Sequence, residues 1–121
     1  MKFTRETSSA LMIRSVDADG IRVGNDIYTS TIALTVDRVV DTRIDKDVGE
    51  LTEEDFSELL DLSPEVIVLG TGQSNIFPPR DLVFAMARRG VGFEVMDTGA
   101  AARTYNVLAG EGRQVAVVLY L

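Results

Sequence analysis

The stretch that decides the fold runs from Val66 to Pro79 and reads VIVLGTGQSNIFPP. Its first four residues are continuously apolar, which is typical of a strand covered on both faces of a sheet. A polar loop that contains Gly70 and Gly72 follows, and the proline pair that begins at Pro78 can open a helix. The stretch therefore predicts a strand, a loop and a helix, and its loop is a candidate functional face.

The same strand-to-helix order repeats toward the C-terminus. The first helix is predicted from Pro79 to Arg89, with Leu82, Val83 and Met86 on its inner face. Strand-to-helix crossovers of this kind produce parallel neighbouring strands.

A second strand is predicted at 93–96, and a helix that begins near Thr98 ends at Gly110. Residues 115–121 are again apolar and predict a third buried strand. The residues of the second helix that recur at helical spacing are Ala101, Ala102, Tyr105 and Leu108.

Residues 10–48 predict a β-rich half. Short β-branched runs alternate with turn residues there, and Gly24-Asn25 predicts a tight hairpin because both residues tolerate a positive φ. A short helix is expected over 51–62, with Thr52 as its cap and Phe56 on its buried face. The prediction is a single α/β domain over residues 1–121, whose β-rich N-terminal half joins a C-terminal βαβαβ unit with parallel strands in a mixed sheet.

Composition removes several classes of function. The chain contains no cysteine and no histidine, which excludes disulfides, thiolate metal sites and histidine-based nucleophilic catalysis. A formal net charge of −7 marks an acidic protein and argues against nucleic acid as a partner. We expect no metal and no cofactor, because the Asp-x-Asp pairs at Asp17 and Asp45 are typical of solvated turns. The composition favours a non-catalytic function.

The N-terminal residues 1–9 contain no apolar core of a secretory signal and do not resemble a transit peptide. No run approaches the ~18 apolar residues that span a bilayer. The prediction is a cytoplasmic protein that is not transmembrane.

Ligands of open parallel sheets bind beyond the carboxyl ends of the strands. That rim is predicted to consist of the loops 70–77 and 97–100 with the helix that follows. The candidate binding residues are Gly70, Thr71, Gly72, Gln73, Ser74, Asn75, Asp97, Thr98, Gly99, Arg103, Thr104, Tyr105 and Asn106.

This loop matches neither of two common nucleotide-binding motifs. A dinucleotide fingerprint needs a third glycine where the chain has Asn75, and a phosphate-binding loop of the Walker type needs a lysine, which is missing between Gly70 and Phe77. Pro78 and Pro79 also remove two N–H donors from the helix start. A nucleotide site is therefore disfavoured.

The start of the second helix suits a small anion better. Thr98 can cap it, small residues leave its N–H groups uncovered, and Arg103 lies one turn further on. Small residues at this place are also typical of close helix–sheet packing. Asp97 or Tyr105 is a candidate proton carrier, although Tyr105 shares the face that predicts a core tyrosine, and the mid-helix Asn106 indicates a polar contact.

Ile76 and Phe77 are apolar residues in a loop. They either close over the core or form an exposed anchor for a protein partner.

Several motifs together resemble a known domain family. They are Leu69 to Gly72 with Phe77-Pro78-Pro79, residues 94–101, residues 103–108, and the strand pattern of residues 20–23 and 26–28. The chain resembles a domain family of unknown function that includes the mitochondrial respiratory complex I assembly factor 3 and its bacterial homologues. The resemblance implies an α/β fold with a mixed sheet and a cleft near the two loops. For eukaryotic relatives it implies assembly through protein contacts, and it implies no catalytic residues.

Two hypotheses follow. The first is a protein-interaction or complex-assembly factor with a protein partner. The second is a small-molecule binding protein or an enzyme that holds an anion at the rim.

Overall fold

Two β-sheets organise the described part of the chain, which in this computed structural model comprises residues 10–40, 42 and 44–121. Residues 1–9, for which the sequence predicted neither a secretory signal nor a transit peptide, lie outside the described residues. In chain order the strands are β1 (Ile13–Asp17), β2 (Gly20–Val23), β3 (Asp26–Tyr28), β4 (Ile32–Thr35), β5 (Val39–Val40), β6 (Val66–Gly70), β7 (Gly92–Met96) and β8 (Val115–Leu119). The helices are α1 (Ser57–Leu60), α2 (Arg80–Arg88) and α3 (Thr98–Gly110), and short 3-10 turns cover Val48–Glu50 and Glu53–Phe56.

The first sheet is an antiparallel meander of β1, β2 and β3. The predicted hairpin is confirmed, because Val23 pairs with Asp26 across the two-residue turn and Gly24 has a φ of 59°. This positive φ is the backbone conformation that glycine adopts without strain.

The second sheet has the strand order β5-β4-β8-β6-β7. Strands β6, β7 and β8 are parallel, whereas β4 is antiparallel to both β5 and β8. The predicted mixed α/β fold is confirmed. The N-terminal half contributes to it in two ways, since it adds β4 and β5 to the C-terminal sheet and forms a sheet of its own.

The central strands are apolar throughout because both of their faces are covered. Ile67 and Leu69 of β6 face a core shared with α1 and α2, while Val68 between them faces a core shared with α3 and the first sheet. Strand β8 alternates in the same way. The two layers place the β6–α2 loop and the β7–α3 loop at one edge of the sheet.

Helix α2 differs from the prediction in its orientation. Its buried residues are Leu82, Ala85 and Met86, whereas Val83 is 40% exposed, so the prediction that Val83 faces inward was wrong. Positions 82, 85 and 86 share one face of a 3.6-residue helix, and Val83 lies to its side.

The predicted short helix is a 3-10 turn followed by the single turn α1. Phe56 and Leu59 are buried as expected, and the ring of Phe56 packs edge-on against Phe93 with 5.9 Å between their centroids. A capping box between Thr52 and Asp55 starts this segment. No helix among the described residues is long and apolar enough to cross a membrane.

Candidate functional site

The ends of three parallel strands meet at the predicted rim. Gly70 lies in register with Met96 on β7 and with Leu119 on β8. Beyond these residues the backbone continues the pairing, because the N–H of Thr71 donates to the Met96 carbonyl at 2.9 Å and the N–H of Tyr120 donates to the Gly70 carbonyl at 2.9 Å. The rim is therefore a tightly bonded edge.

Thr71 closes the β6–α2 loop on itself. Its side chain is buried, and its hydroxyl lies 2.5 Å from the carbonyl of Ser74 and 3.3 Å from that of Met96, either of which can accept its proton. The same oxygen accepts the N–H of Ile76 at 3.0 Å. Since these bonds satisfy the hydroxyl, Thr71 shapes the loop and does not present a group to a ligand.

Thr98 joins three segments of the rim. Its buried hydroxyl accepts the N–H of Gly72 at 2.8 Å and donates to the Tyr120 carbonyl at 2.6 Å. Its own N–H donates to the Gly72 carbonyl at 2.8 Å. Thr98 thus holds the β6–α2 loop, the start of α3 and the end of β8 together.

The cap of α3 is Asp97, and the prediction that Thr98 caps this helix was wrong. The Asp97 backbone is extended, and its carboxylate accepts the N–H of Ala100 at 2.8 Å. A carboxylate at this position also complements the positive end of the helix dipole. The helix start is therefore already occupied by a negative charge.

The two glycines of the loop have different roles. A Cβ on Gly70 would lie 2.9 Å from the Ala101 Cβ and 3.0 Å from a methyl carbon of Leu119, so Gly70 permits α3 to pack directly on β6. Gly72 has a φ of 100°, which side-chain-bearing residues rarely adopt, and this turn brings its N–H to Thr98.

A cavity of about 320 Å³ opens beside the rim. It is lined in part by the predicted residues Gly72, Gln73, Asp97, Thr98 and Gly99, and in part by Val16, Asp17, Ala18, Tyr120 and Leu121, which the sequence did not indicate. Among the described residues that line it, the charged side chains are the carboxylates of Asp17 and Asp97. Ser74 and Asn75 of the predicted rim are exposed outside it.

Tyr120 connects this edge to the N-terminal half. Its hydroxyl donates to the Lys46 carbonyl at 2.8 Å. Burial, followed by the negative charges of Asp55 and Asp47, raises the pKa of Tyr120 to about 12. The phenol therefore stays protonated at neutral pH and acts as a structural donor.

Arg103 and Thr104 lie outside the cavity. Arg103 is exposed, and one of its guanidinium nitrogens approaches the first helical turn, 3.6 Å from where a Cβ on Gly99 would lie. The Thr104 hydroxyl contacts the sulfur of Met96 at 3.3 Å. Both residues border a shallow groove with Val107, and Arg103 adjoins the cavity at Gly99, which lines it.

Tyr105 and Asn106 face the N-terminal segment. The hydroxyl of the fully buried Tyr105 lies 2.6 Å from the Leu11 carbonyl and 3.1 Å from the Thr35 carbonyl. Burial, with a smaller effect of the Asp37 charge, raises its pKa far above the ordinary value, which does not suit a proton carrier. The Asn106 amide accepts the N–H of Ile13 at 2.9 Å and donates to its carbonyl at 2.8 Å.

The candidate anchor residues are exposed. Phe77 is 80% exposed and Ile76 46%, and two residues of α2, Val83 and Phe84, are exposed at 40% and 52%. Phe77 and Val83 line the same groove. We call these four residues the α2 patch. The exposure of Val83 and Phe84 was not predicted, although the six consecutive apolar residues from Leu82 to Ala87 exceed what one helix face can bury, which indicates that some of them are exposed.

A groove lies next to the α2 patch. Its volume is about 610 Å³, and its walls are Phe77, Pro78, Arg80, Val83, Phe93 and Val95. We call it the β7 groove, because Phe93 and Val95 belong to that strand. It lies between α2 and β7, and the cavity of the rim has a different set of lining residues.

The class of protein is thus an α/β domain. Its mixed sheet has parallel strands that end in a hydrogen-bonded rim. Residues 13–120 match the model of a family described as "protein of unknown function (DUF498/DUF598)", and the chain belongs to that family.

Curated relatives have two different descriptions. The chain is 32% identical over 117 residues to the human NADH dehydrogenase [ubiquinone] 1 alpha subcomplex assembly factor 3, a match that covers 95% of the chain and 63% of the relative. It therefore spans less than two thirds of the length of that factor. It is 28% identical over 94 residues to the 13 kDa major membrane protein of Francisella tularensis, with 76% of each chain covered.

Solved structures share the fold over nearly the whole chain. A Xanthomonas campestris protein studied by NMR superposes with a TM-score of 0.84 at 35% identity, covering 99% of this chain and 92% of that one. The crystal structure of an outer membrane protein from Bartonella henselae superposes with a TM-score of 0.79 at 30% identity, covering 93% and 95%.

Proposed function

We propose that this protein is a non-catalytic interaction domain that supports the assembly of a multiprotein complex. The observation that carries the proposal is the α2 patch, in which Phe77 exposes 80% of its surface and lines one groove with the exposed Val83. Exposed apolar surface on a folded domain marks an interaction site, and an aromatic side chain such as Phe77 is a typical anchor.

The site chemistry supports the same function. The buried hydroxyls of Thr71 and Thr98 are satisfied by the loops themselves, and the phenols of Tyr105 and Tyr120 donate to backbone carbonyls. These groups stabilise the fold and are not arranged around a reacting atom. The similarity to the human complex I assembly factor supports a respiratory complex as the assembly. The cytoplasmic location predicted from the sequence remains a prediction.

The test is a comparison of two aspartate variants in the source organism. Phe77→Asp places a charge in the α2 patch, and Val107→Asp places one on α3, where Val107 is 59% exposed. We expect both variants to fold, because both residues are exposed. Tagged chains are captured with their partners, which are quantified by mass spectrometry, and complex I is measured on native gels in a deletion strain complemented with each variant.

We expect Phe77→Asp to reduce the captured partner about tenfold or more, as at an interface anchor. The same variant should fail to restore the level of complex I, whereas Val107→Asp should restore it. Equal partner recovery by the two variants would overturn the α2 patch as the interface. Unchanged complex I in the deletion strain would overturn the respiratory assignment.

A second candidate function is small-molecule binding in the cavity beside the rim. Its volume of about 320 Å³ suits a small ligand. The sequence predicted an anion, but the carboxylates of Asp17 and Asp97 line the cavity, whereas Arg103 only adjoins it at Gly99, which favours a neutral or cationic ligand. A thermal-shift screen of anionic metabolites and small amines distinguishes an anionic from a cationic ligand. Stabilisation by anions that is lost in Arg103→Ala would support an anionic ligand. If no compound stabilises the protein, binding of anions and of small amines would both be excluded.

A further inference from the structure

Strand β7 is an open edge of the five-stranded sheet. In the described residues it pairs with β6 on one side, and the strand order ends with it on the other. With five residues it is longer than β3 and β5, and it contains neither a proline nor a bulge that would block pairing. The edge can therefore accept a further strand.

The backbone groups on this edge can be identified from the hydrogen bonds to β6. The N–H of Gly92 donates to the Glu65 carbonyl at 2.9 Å, and the Met96 carbonyl accepts the N–H of Thr71 at 2.9 Å. Both residues thus direct their polar groups toward β6. Since successive residues of a strand alternate, Phe93 and Val95 direct their N–H and C=O groups to the open edge.

The β7 groove lies on the same side. The side chains of Phe93 and Val95 form one wall, Phe77 and Val83 form another, and Arg80 is the charged residue among the described residues that line it. A strand added to β7 would place every second side chain in this groove. The groove suits apolar side chains, with a carboxylate where the segment reaches Arg80.

We propose that β7 binds an extended segment of another protein by strand addition. The segment has apolar residues at alternate positions and an acidic residue on the same face. This rests on the proposed interaction function and specifies the partner chemistry of that surface.

A second copy of this chain is a less suitable occupant. In the antiparallel register in which Phe93 of one copy exchanges hydrogen bonds with Val95 of the other, Glu94 lies opposite Glu94, whereas the registers that pair Phe93 or Val95 with itself place Glu94 opposite Gly92 or Met96. Like charges directly opposite each other destabilise a strand pair, and each copy also has a net charge of −7. A partner with an acid near Arg80 avoids this repulsion.

The test uses the capped heptapeptide Ser-Val-Thr-Val-Thr-Asp-Ser, whose two valines and aspartate share one face when extended. Control peptides replace the aspartate with lysine or carry N-methyl groups on one or the other set of alternate residues. Each is titrated into the ¹⁵N-labelled full chain, and amide shifts and amide exchange are recorded.

We expect the first peptide to shift the amides of Phe93 and Val95 and to protect them from exchange. One of the two N-methylated sets should abolish binding, because it removes the donors that face β7. Arg80→Ala should weaken the aspartate peptide about tenfold and leave the lysine peptide unchanged. Val107→Ala serves as the matched surface control.

Three results would overturn strand addition. The first is the absence of shifts at Phe93 and Val95 at millimolar peptide. The second is equal binding of all N-methylated peptides. The third is a dimer in sedimentation together with protection of those two amides from exchange without peptide. The last result would assign the edge to a second copy. A loss of partner capture in Phe77→Asp combined with any of these would preserve the proposed function and reject the binding mode.

Discussion

At the scale of single residues, the loop after β6 is explained by packing. Gly70 is in contact distance of α3 and β8, and Gly72 provides a positive φ that aims its N–H at Thr98. A pair of glycines after a buried strand is equally typical of a phosphate-binding loop. Here helix α3 of the same chain, and not a phosphate, packs against the backbone of Gly70.

We predict that Gly70→Ala destabilises the protein by about 1–3 kcal/mol, the usual cost of overpacking a core. The reason is steric, because the new Cβ would lie 2.9 Å from both the Ala101 Cβ and the Thr98 Cα. Urea denaturation followed by circular dichroism measures the change. Gly49→Ala is the control, since a Cβ there meets no atom within 4 Å. Equal stability of the two variants would show that α3 can move away from β6.

The choice between Asp97 and Thr98 as the cap shows what a sequence can predict at this scale. Both residue types are good caps, and they are adjacent, so local preference does not separate them. The structure assigns the cap to Asp97 because Thr98 is used elsewhere, by Gly72 and Tyr120. Those two residues come from distant segments, and no local pattern of the sequence brings them to Thr98.

At the scale of elements, the segment before β6 depends on Asp55. Its carboxylate accepts the N–H of Thr52 at 2.9 Å and pairs with the Lys46 ammonium at 2.9 Å. Burial alone would raise the pKa of Asp55, but the hydrogen bonds from Thr52 and Lys46 and the Lys46 charge outweigh it, so that the pKa is lowered. The 3-10 turn and α1 are thereby fixed at their start.

We predict that Asp55→Asn costs about 1 kcal/mol of stability at pH 7, the usual loss at a capping position. Because the folded-state pKa of Asp55 is lowered, its contribution is complete above the unfolded value of about 4 and is lost as the pH falls through the folded value. Urea denaturation at pH 7 and at pH 3 should therefore show a difference that shrinks in acid. Glu58→Gln, at an exposed site in α1, is the control. A pH-independent difference would indicate that packing, not charge, explains the loss.

The elements themselves were largely predictable, whereas their partners were not. Apolar runs and helical spacing located β6, β8, α2 and α3 because burial on a sheet imposes those patterns. The pairing of β4 with β8 joins residues as far apart in sequence as Ile32 and Leu119, and no local signal encodes it. The same limit applies to the site, since Asp17 and Tyr120 reach the cavity only through the tertiary fold.

At the scale of the whole molecule, α3 connects the two sheets. One side of it packs on β6 and β8, and Tyr105 and Asn106 bind the segment that leads into β1. The Asn106 amide pairs with both backbone groups of Ile13, as a neighbouring strand would. A mid-helix asparagine, unfavourable for the helix alone, thus serves the assembly of the layers.

We predict that Asn106→Leu loosens the first sheet selectively. The leucine is of similar size but leaves the N–H and C=O of Ile13 without their partner, at a cost of about 1–3 kcal/mol. Amide exchange should accelerate in β1, β2 and β3 and stay slow in β6 and β8, because the lost hydrogen bonds join α3 to β1. Arg103→Leu, on the exposed face of the same helix, is the control. Uniform acceleration in both sheets would instead mean that the described residues unfold as one cooperative unit, with Asn106 contributing to global stability alone.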